Sequence, residues 1–181
     1  MNSTHSGCCC HNSSDNNSDN GHSCGGGCGC GGHQSSEIQI SEEEIQVLKQ
    51  LAQTPYLPLT RFILKSSKSD HLESVALAPV YLNDRTDSME TVKRMGTVLK
   101  ALESKDLITL DYEEPLENGN YDDYLNSSLY AYFKETASHA KEQDGFLFDI
   151  PSLELGSIGL TNIGQMAIEQ LDALEDAEAE N

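Results

Sequence analysis

Cysteine and histidine crowd the start of this chain. The stretch HSCGGGCGCGGH, His22 to His33, sets three cysteines and two histidines among six glycines and one serine. Upstream, Cys8, Cys9, Cys10 and His11 form a second group. Thiolate and imidazole are the ligands of soft and borderline metals. Glycine lets a backbone close round an ion as a stiffer chain could not. The spacing Cys24-x3-Cys28-x-Cys30 is neither the paired C-x2-C of a structural zinc ribbon nor the C-x3-C-x2-C of a radical iron–sulfur site. Three adjacent cysteines cannot all reach one tetrahedral site comfortably, which suits a polynuclear thiolate cluster or an adaptable, weakly specific site. The expected ligands are Cys8, Cys9, Cys10, His11, His22, Cys24, Cys28, Cys30 and His33. The expected ions are Zn(II) or Cu(I), with Ni(II) through histidine as a further option. The alternative is a low-complexity tail that picks up metal only opportunistically. The glycine run is no phosphate cradle, because no Gly-Lys-Ser/Thr follows it.

These residues belong to a 36-residue segment without a single Lys or Arg and with almost nothing apolar except Cys. Such a segment cannot bury enough surface to offset its backbone entropy, so residues 1–36 are expected to be a disordered tail without a ligand. All six cysteines of the chain lie in it. The N-terminus shows no basic stretch followed by an apolar one, and no run approaches the roughly 20 residues of a membrane span. A cytoplasmic protein away from membranes is expected, where thiols stay reduced and metal or redox chemistry is favoured over a disulfide framework.

From Glu37 the composition changes, and about 145 residues are enough for an independent core. The net charge of −19 argues against indiscriminate nucleic-acid binding. The charge is unevenly placed. Residues 61–105 hold eight of the eleven basic side chains: Arg61, Lys65, Lys68, Arg85, Lys93, Arg94, Lys100 and Lys105. Residues 106–181 carry a net −16. Either the surface is simply acidic with scattered cations, or one near-neutral or positive face stands on an acidic body.

The elements that must position these charges follow from periodicity. Ser41-Glu-Glu-Glu44 is a capping box opening a helix with Ile45, Leu48 and Leu51 on one side. Pro55 and Pro58 bracket a break, and Leu59–Lys65 reads as a short second helix. Residues 72–82 fit either a strand interrupted by Pro79 or a short helix with an extended turn. The strongest helix spans 88–105, with Met89, Val92, Met95, Leu99 and Leu102 as its apolar stripe. Lys93, Arg94 and Thr97 fall on the opposite side, with Lys100 on the flank. A strand at 107–112, a helix at 122–142, strands at 146–150 and 153–160, and a last helix capped by Thr161 complete the order. An acidic end, 176–181, is expected to fray.

The long helix runs into LKALESKDLITLDY, and the last strand feeds LTNIGQMAIEQL. At Leu99, Leu102, Glu103, Leu107 and Ile108, then Leu160, Thr161 and Gly164, the chain resembles winged helix-turn-helix regulators of the MarR-like kind. Asp106 departs from that pattern, which has glycine there, and the segment between the two wing strands is long. The resemblance implies an α+β, mostly helical winged-helix domain over 37–175 with an insertion at 114–145. It implies double-stranded DNA as partner, and a homodimer through the terminal helices. In such a domain helix 88–105 would read the major groove. Lys93, Arg94, Thr97 and Lys100 would contact DNA there, with Arg61, Lys65 and Arg85 on the flanking backbone.

The expected function is therefore a DNA-binding transcription regulator whose tail senses metal or redox state. The alternative is a metal-handling or assembly accessory protein whose domain docks a protein partner; a basic set dispersed in space would favour it. In a third reading, tail and body are unrelated. With no body cysteine, no G-x-S-x-G and no phosphate loop, a catalytic set is not recognisable and an enzyme is not expected. His71 and His139 read as surface residues.

Overall fold

Ser41 starts the first helix, α1 (Glu42–Gln53), with the capping box its sequence announces. Its hydroxyl accepts from the Glu44 N–H at 3.3 Å, and the Glu44 carboxylate accepts from the Ser41 N–H at 2.6 Å. Val47, Leu48 and Leu51 are buried beneath it. The computed structural model describes residues 39–179, and the chain divides into Met1–Ser36 and Glu37–Asn181. The nine candidate metal ligands of the tail lie outside the described residues.

After α1 the structure departs from the helical expectation. Leu59–Lys65 is not a helix but the middle of strand β1 (Tyr56–Ser66), and the ambiguous segment after it is β2 (Ser69–Val80). With β3 (Ile108–Asp111) and β4 (Ile150–Leu160) they form one antiparallel sheet in the order β2-β1-β4-β3. The segment before the long helix is thus a β-hairpin, and no helix-turn-helix exists among the described residues. The fold is a sheet-rich α+β one, not a mostly helical winged helix.

The physical reason lies in a run too short to show its period. Seven residues such as LTRFILK fit a helical or a buried-strand pattern equally. Thr60, Phe62 and Ile63 favour the strand, and neighbours on both edges satisfy its backbone. Pro58 does not break β1, because β1 meets only β4 at that level: Pro58 faces Ser157, while the β2 ladder begins at Thr60. A proline is tolerated where one strand edge is free. The β1–β2 ladder has register shifts between Thr60 and Phe62 and between Phe62 and Ile63. Such bulges bend a strand and sharpen its twist.

β3 and β4 pair as wing strands would, with Ile108 opposite Leu160 and Leu110 opposite Ile158. But β4 also pairs with β1 from Tyr56–Gly159 to Lys65–Ile150, so it is an inner strand rather than a wing. FLFDI is a strand only at its last residue. Asp149 instead accepts from the Ser67 N–H and hydroxyl, both at 2.8 Å, pinning the chain to the hairpin turn before β4 begins.

The helix at 88–105 stands as α2 (Met89–Ser104), capped by Ser88. The helix expected at 122–142 is two, α3 (Asp122–Leu125) and α4 (Ser128–Lys141). Ser127 divides them: its buried hydroxyl accepts from the Tyr130 N–H at 3.0 Å and donates to the Tyr124 carbonyl at 2.8 Å. The last helix is α5 (Asn162–Ala179), and the Thr161 hydroxyl accepts from the Gly164 N–H at 2.9 Å. A Cβ on Gly164 would lie 2.0 Å from the Leu107 carbonyl oxygen, so only glycine lets α5 start this close to the end of α2. No described helix is long and apolar enough to cross a membrane.

Successive side chains of a strand face opposite sides, and the sheet buries both. Leu57 and Leu59 of β1 with Ile158 of β4 pack with α1, α2 and α5 in one cluster. Phe62 of β1, with Leu153 and Leu155 of β4, packs with α3 and α4 in the other.

α2 ends in a Schellman motif. The Leu107 N–H donates to the Leu102 carbonyl at 3.1 Å, and the Asp106 N–H to the Glu103 carbonyl at 2.9 Å. Both leucines are fully buried in the same cluster, as the motif favours. Asp106 adopts φ 57°, the left-handed conformation that glycine takes at little cost. Asp106→Gly is therefore expected to raise the free energy of unfolding by about 0.5–1 kcal/mol. A lowered midpoint in urea would show that the Asp106 side chain, not its backbone, matters there.

Candidate functional site

The seven residues expected to meet DNA do not form one surface. Arg61 and Lys65 sit on β1, not on a helix. Arg61 is ion-paired with Glu154 of β4, and its guanidinium lies 4.7 Å from the centre of the Tyr112 ring. Burial pushes the Tyr112 phenol up to about 12, against the pull of Arg61. Arg85, in the loop before α2, is paired with Asp123 of α3. Lys93, Arg94, Thr97 and Lys100 do share the exposed face of α2. Within it Arg94 lies 3.6 Å from Glu43 of α1, and the Thr97 hydroxyl donates to the Lys93 carbonyl at 3.1 Å. Lys105 is bound to Glu44 at 2.6 Å. So four of the eight basic residues in 61–105 are spent on carboxylates, Arg61 on β4, Arg85 on α3, and Arg94 and Lys105 on adjacent glutamates of α1.

Where the sheet bends, a second feature opens. A cleft of about 310 Å³ lies between the β1–β2 hairpin, the start of α2 and the second half of α4. Phe62 and Leu64 come from β1, Ala76 and Leu77 from β2, and Met89 and Lys93 from the first turn of α2 and the one after it. α4 presents Tyr132, Phe133, Thr136, Ala137 and Ala140, which share one face at helical spacing, and Phe146 completes the lining. The floor is held by aromatic contacts. The Phe62 ring lies 5.2 Å from Phe133 and 5.4 Å, edge-on, from Tyr130. Such pairs add about 0.5–1.5 kcal/mol each beyond their burial and hold the rings in place.

The space exists because small residues stand beside large ones. Ala137 and Ala140 on α4 face Ala76, which falls in the β2 bulge between Leu77 and Val75. The volume is at the lower end of the roughly 300–1,000 Å³ of small-molecule pockets, and the lining is apolar as theirs is. Its polar groups are few. The Thr136 hydroxyl already donates to the Tyr132 carbonyl at 2.9 Å. Tyr132 contributes its exposed hydroxyl end. Lys93 stands at the rim, and among the described residues no carboxylate lies within ion-pair distance of it. The lining holds no Asp, Glu, His, Cys or Ser, so it presents no nucleophile with its base. What it can do chemically is take up an apolar group.

The cleft escaped the sequence analysis because its parts look like core. Phe133 and Ala137 fall at helical spacing within the helix expected at 122–142, and Phe62 lies in Leu59–Lys65, which reads as a helix but is a strand. The one available signal was the run of small residues, Ala137 and Ala140, on an otherwise bulky stripe. His71 and His139 are both exposed. Among the described residues no three His, Cys, Asp or Glu side chains come together to hold a metal ion.

No protein-family model matches the chain, and no curated protein does. The resemblance to MarR-like regulators thus rests on the quoted residues alone. A solved structure of an uncharacterized protein from the hydrocarbon-degrading marine bacterium Alcanivorax borkumensis SK2 is similar at 13% identity, with a TM-score of 0.38. The match covers 71% of this chain and 83% of that one. It carries no argument about function.

The Lys105–Glu44 pair is the most enclosed of these contacts, with only 5% of the Glu44 side chain exposed. Burial pushes the Glu44 carboxyl up, but hydrogen bonds from Lys105 and from Ser41 outweigh it and hold it below its ordinary value of 4.5. A depressed carboxylate contributes stability above its unfolded value and loses it as pH falls through the folded one. Glu44→Gln should cost about 1–3 kcal/mol at pH 7. The gap between the two proteins should close below about pH 4.5, as the native carboxyl also becomes protonated. Urea unfolding at pH 7 and at pH 3 measures it; an unchanged gap would refute the charge pairing.

Proposed function

We propose that residues 37–179 form a non-catalytic binding module, which takes the apolar part of a ligand into the cleft between β1, β2, α2 and α4. The protein then serves as a cytoplasmic accessory factor, with the Cys/His segment handling Zn(II) or Cu(I). The observation that carries the module is the cleft itself, preformed, apolar and floored by interlocked aromatic rings. The pairing of basic residues supports it too. A surface built to neutralise phosphates leaves its cations unpaired and co-facial, whereas Arg61, Arg85, Arg94 and Lys105 are matched to carboxylates on three elements, β4, α3 and α1.

A neutral amphiphile probes the cleft without invoking charge. The chain has no Trp, so calorimetry or NMR serves better than intrinsic fluorescence. Decanol should bind saturably at one site. Ala140→Phe, which fills the cleft from α4, should weaken binding at least about tenfold while leaving the fold intact. Absence of saturable binding to the parent protein would remove the module.

One observation keeps a DNA-binding regulator as the second reading: Lys93, Arg94, Thr97 and Lys100 share one exposed helix face. Sheared genomic DNA offered to the full chain at moderate salt distinguishes the two. The binding module predicts no enriched sequence. Enrichment of a short site, lost in Lys93→Ala/Arg94→Ala, would establish the regulator instead.

A further inference from the structure

We infer that the cleft is a site for a single-chain amphipathic anion, a carboxylate whose apolar chain lies over Phe62 and Phe133 and whose head is held by Lys93. The inference rests on the binding-module reading and adds the charge of the ligand. Two independent features carry it. The first is size and lining: an apolar cleft of about 310 Å³ between the β1–β2 hairpin, α2 and α4, partly open to solvent. A flexible apolar chain can adapt to a space of that size.

The second is electrostatic. This chain carries 30 acidic and 11 basic side chains, so carboxylates outnumber cations almost three to one. Near α2 most cations have found one: Arg85 has Asp123, Arg94 has Glu43 and Lys105 has Glu44. Lys93 has none among the described residues, and it stands where the apolar lining meets water. Glu90, one turn earlier on α2, faces the outer depression beside it rather than the cleft. A Lys stem can lie along apolar surface while its ammonium stays at the rim. A carboxylate there would gain a charge-assisted hydrogen bond beside low-dielectric walls, where the attraction is stronger than in open water. A neutral head would gain far less. The Thr136 hydroxyl and the Tyr132 phenol are the other polar groups of the lining.

The experiment compares decanoate with decanol on the full-length protein, by calorimetry at two salt concentrations. Decanoate should bind about fivefold tighter at low salt, and the advantage should shrink as salt rises. Lys93→Gln should abolish the advantage and its salt dependence. Lys93→Arg should retain both. Lys93 is exposed on a helix surface, so these variants should unfold at the parental midpoint. Equal binding of both ligands, indifferent to Lys93, would overturn the anionic ligand while leaving the cleft a binding site. Binding of neither would overturn the binding module as well.

Discussion

Strand β1 has to be buried on both faces and, from Thr60 on, bonded on both edges, and the rest of the fold follows from that constraint. Leu57 and Leu59 are pressed against α1, α2 and α5, while Phe62 is pressed against α4. Truncating a residue such as Phe62 would cost about 3–5 kcal/mol. An exposed ion pair is worth about 0–1 kcal/mol. Placement of β1 by packing therefore dominates, and the charged partners are matched to it afterwards. β2 and β4 supply the hydrogen bonds that a buried backbone requires. The hairpin to β2 must then bend, because aromatic bulk on α4 lies on one side only.

The bend and the cleft are one feature. Ala76 sits in the bulge of β2, opposite a stretch of α4 where Ala137 and Ala140 replace the aromatics of the preceding turns. Interiors normally close such gaps, since each lost contact weakens packing. Here Phe62, Tyr130 and Phe133 brace one another across the floor, so α4 cannot settle further onto the sheet. Rigid aromatics beside small residues make a gap that persists, with Phe146 as part of its lining.

Local chemistry was legible in the sequence where a motif is self-contained. The Ser41 capping box, the start of α2 and the Thr161 cap each involve residues within a few positions, and each appears as its sequence announces. Asp106 stands out in the sequence only as a departure from a glycine position; its left-handed backbone is a finding of the structure. What failed was the segment whose structure is decided far away. Leu59–Lys65 is a strand because residues 150–156 and 73–80 pair with it, and neither partner is visible in a window of seven residues. The same misreading cost the site. Phe62 belongs to the cleft only once β1 exists, and without it the apolar face of α4 looks like ordinary core. The basic residues failed differently. Their clustering along the chain was real, but a strand, a loop and a helix carried Arg61, Arg85 and Arg94 to separate carboxylates.

That separation bears on what an acidic protein can do with few cations. At least five of its eleven basic side chains lie within ion-pair distance of a described carboxylate, so the long-range field is set by the surplus carboxylates, which disfavours the approach of phosphate backbones. Small amphipathic anions are repelled too, but one unpaired ammonium over an apolar slot can offset this locally, because the attraction acts at contact distance while the surplus is screened within about 8–10 Å. Lys93 matters through position rather than number. It is the point at which the exposed face of α2 and the cleft meet, so one side chain connects the surface that the sequence brought forward with the cavity that the fold creates.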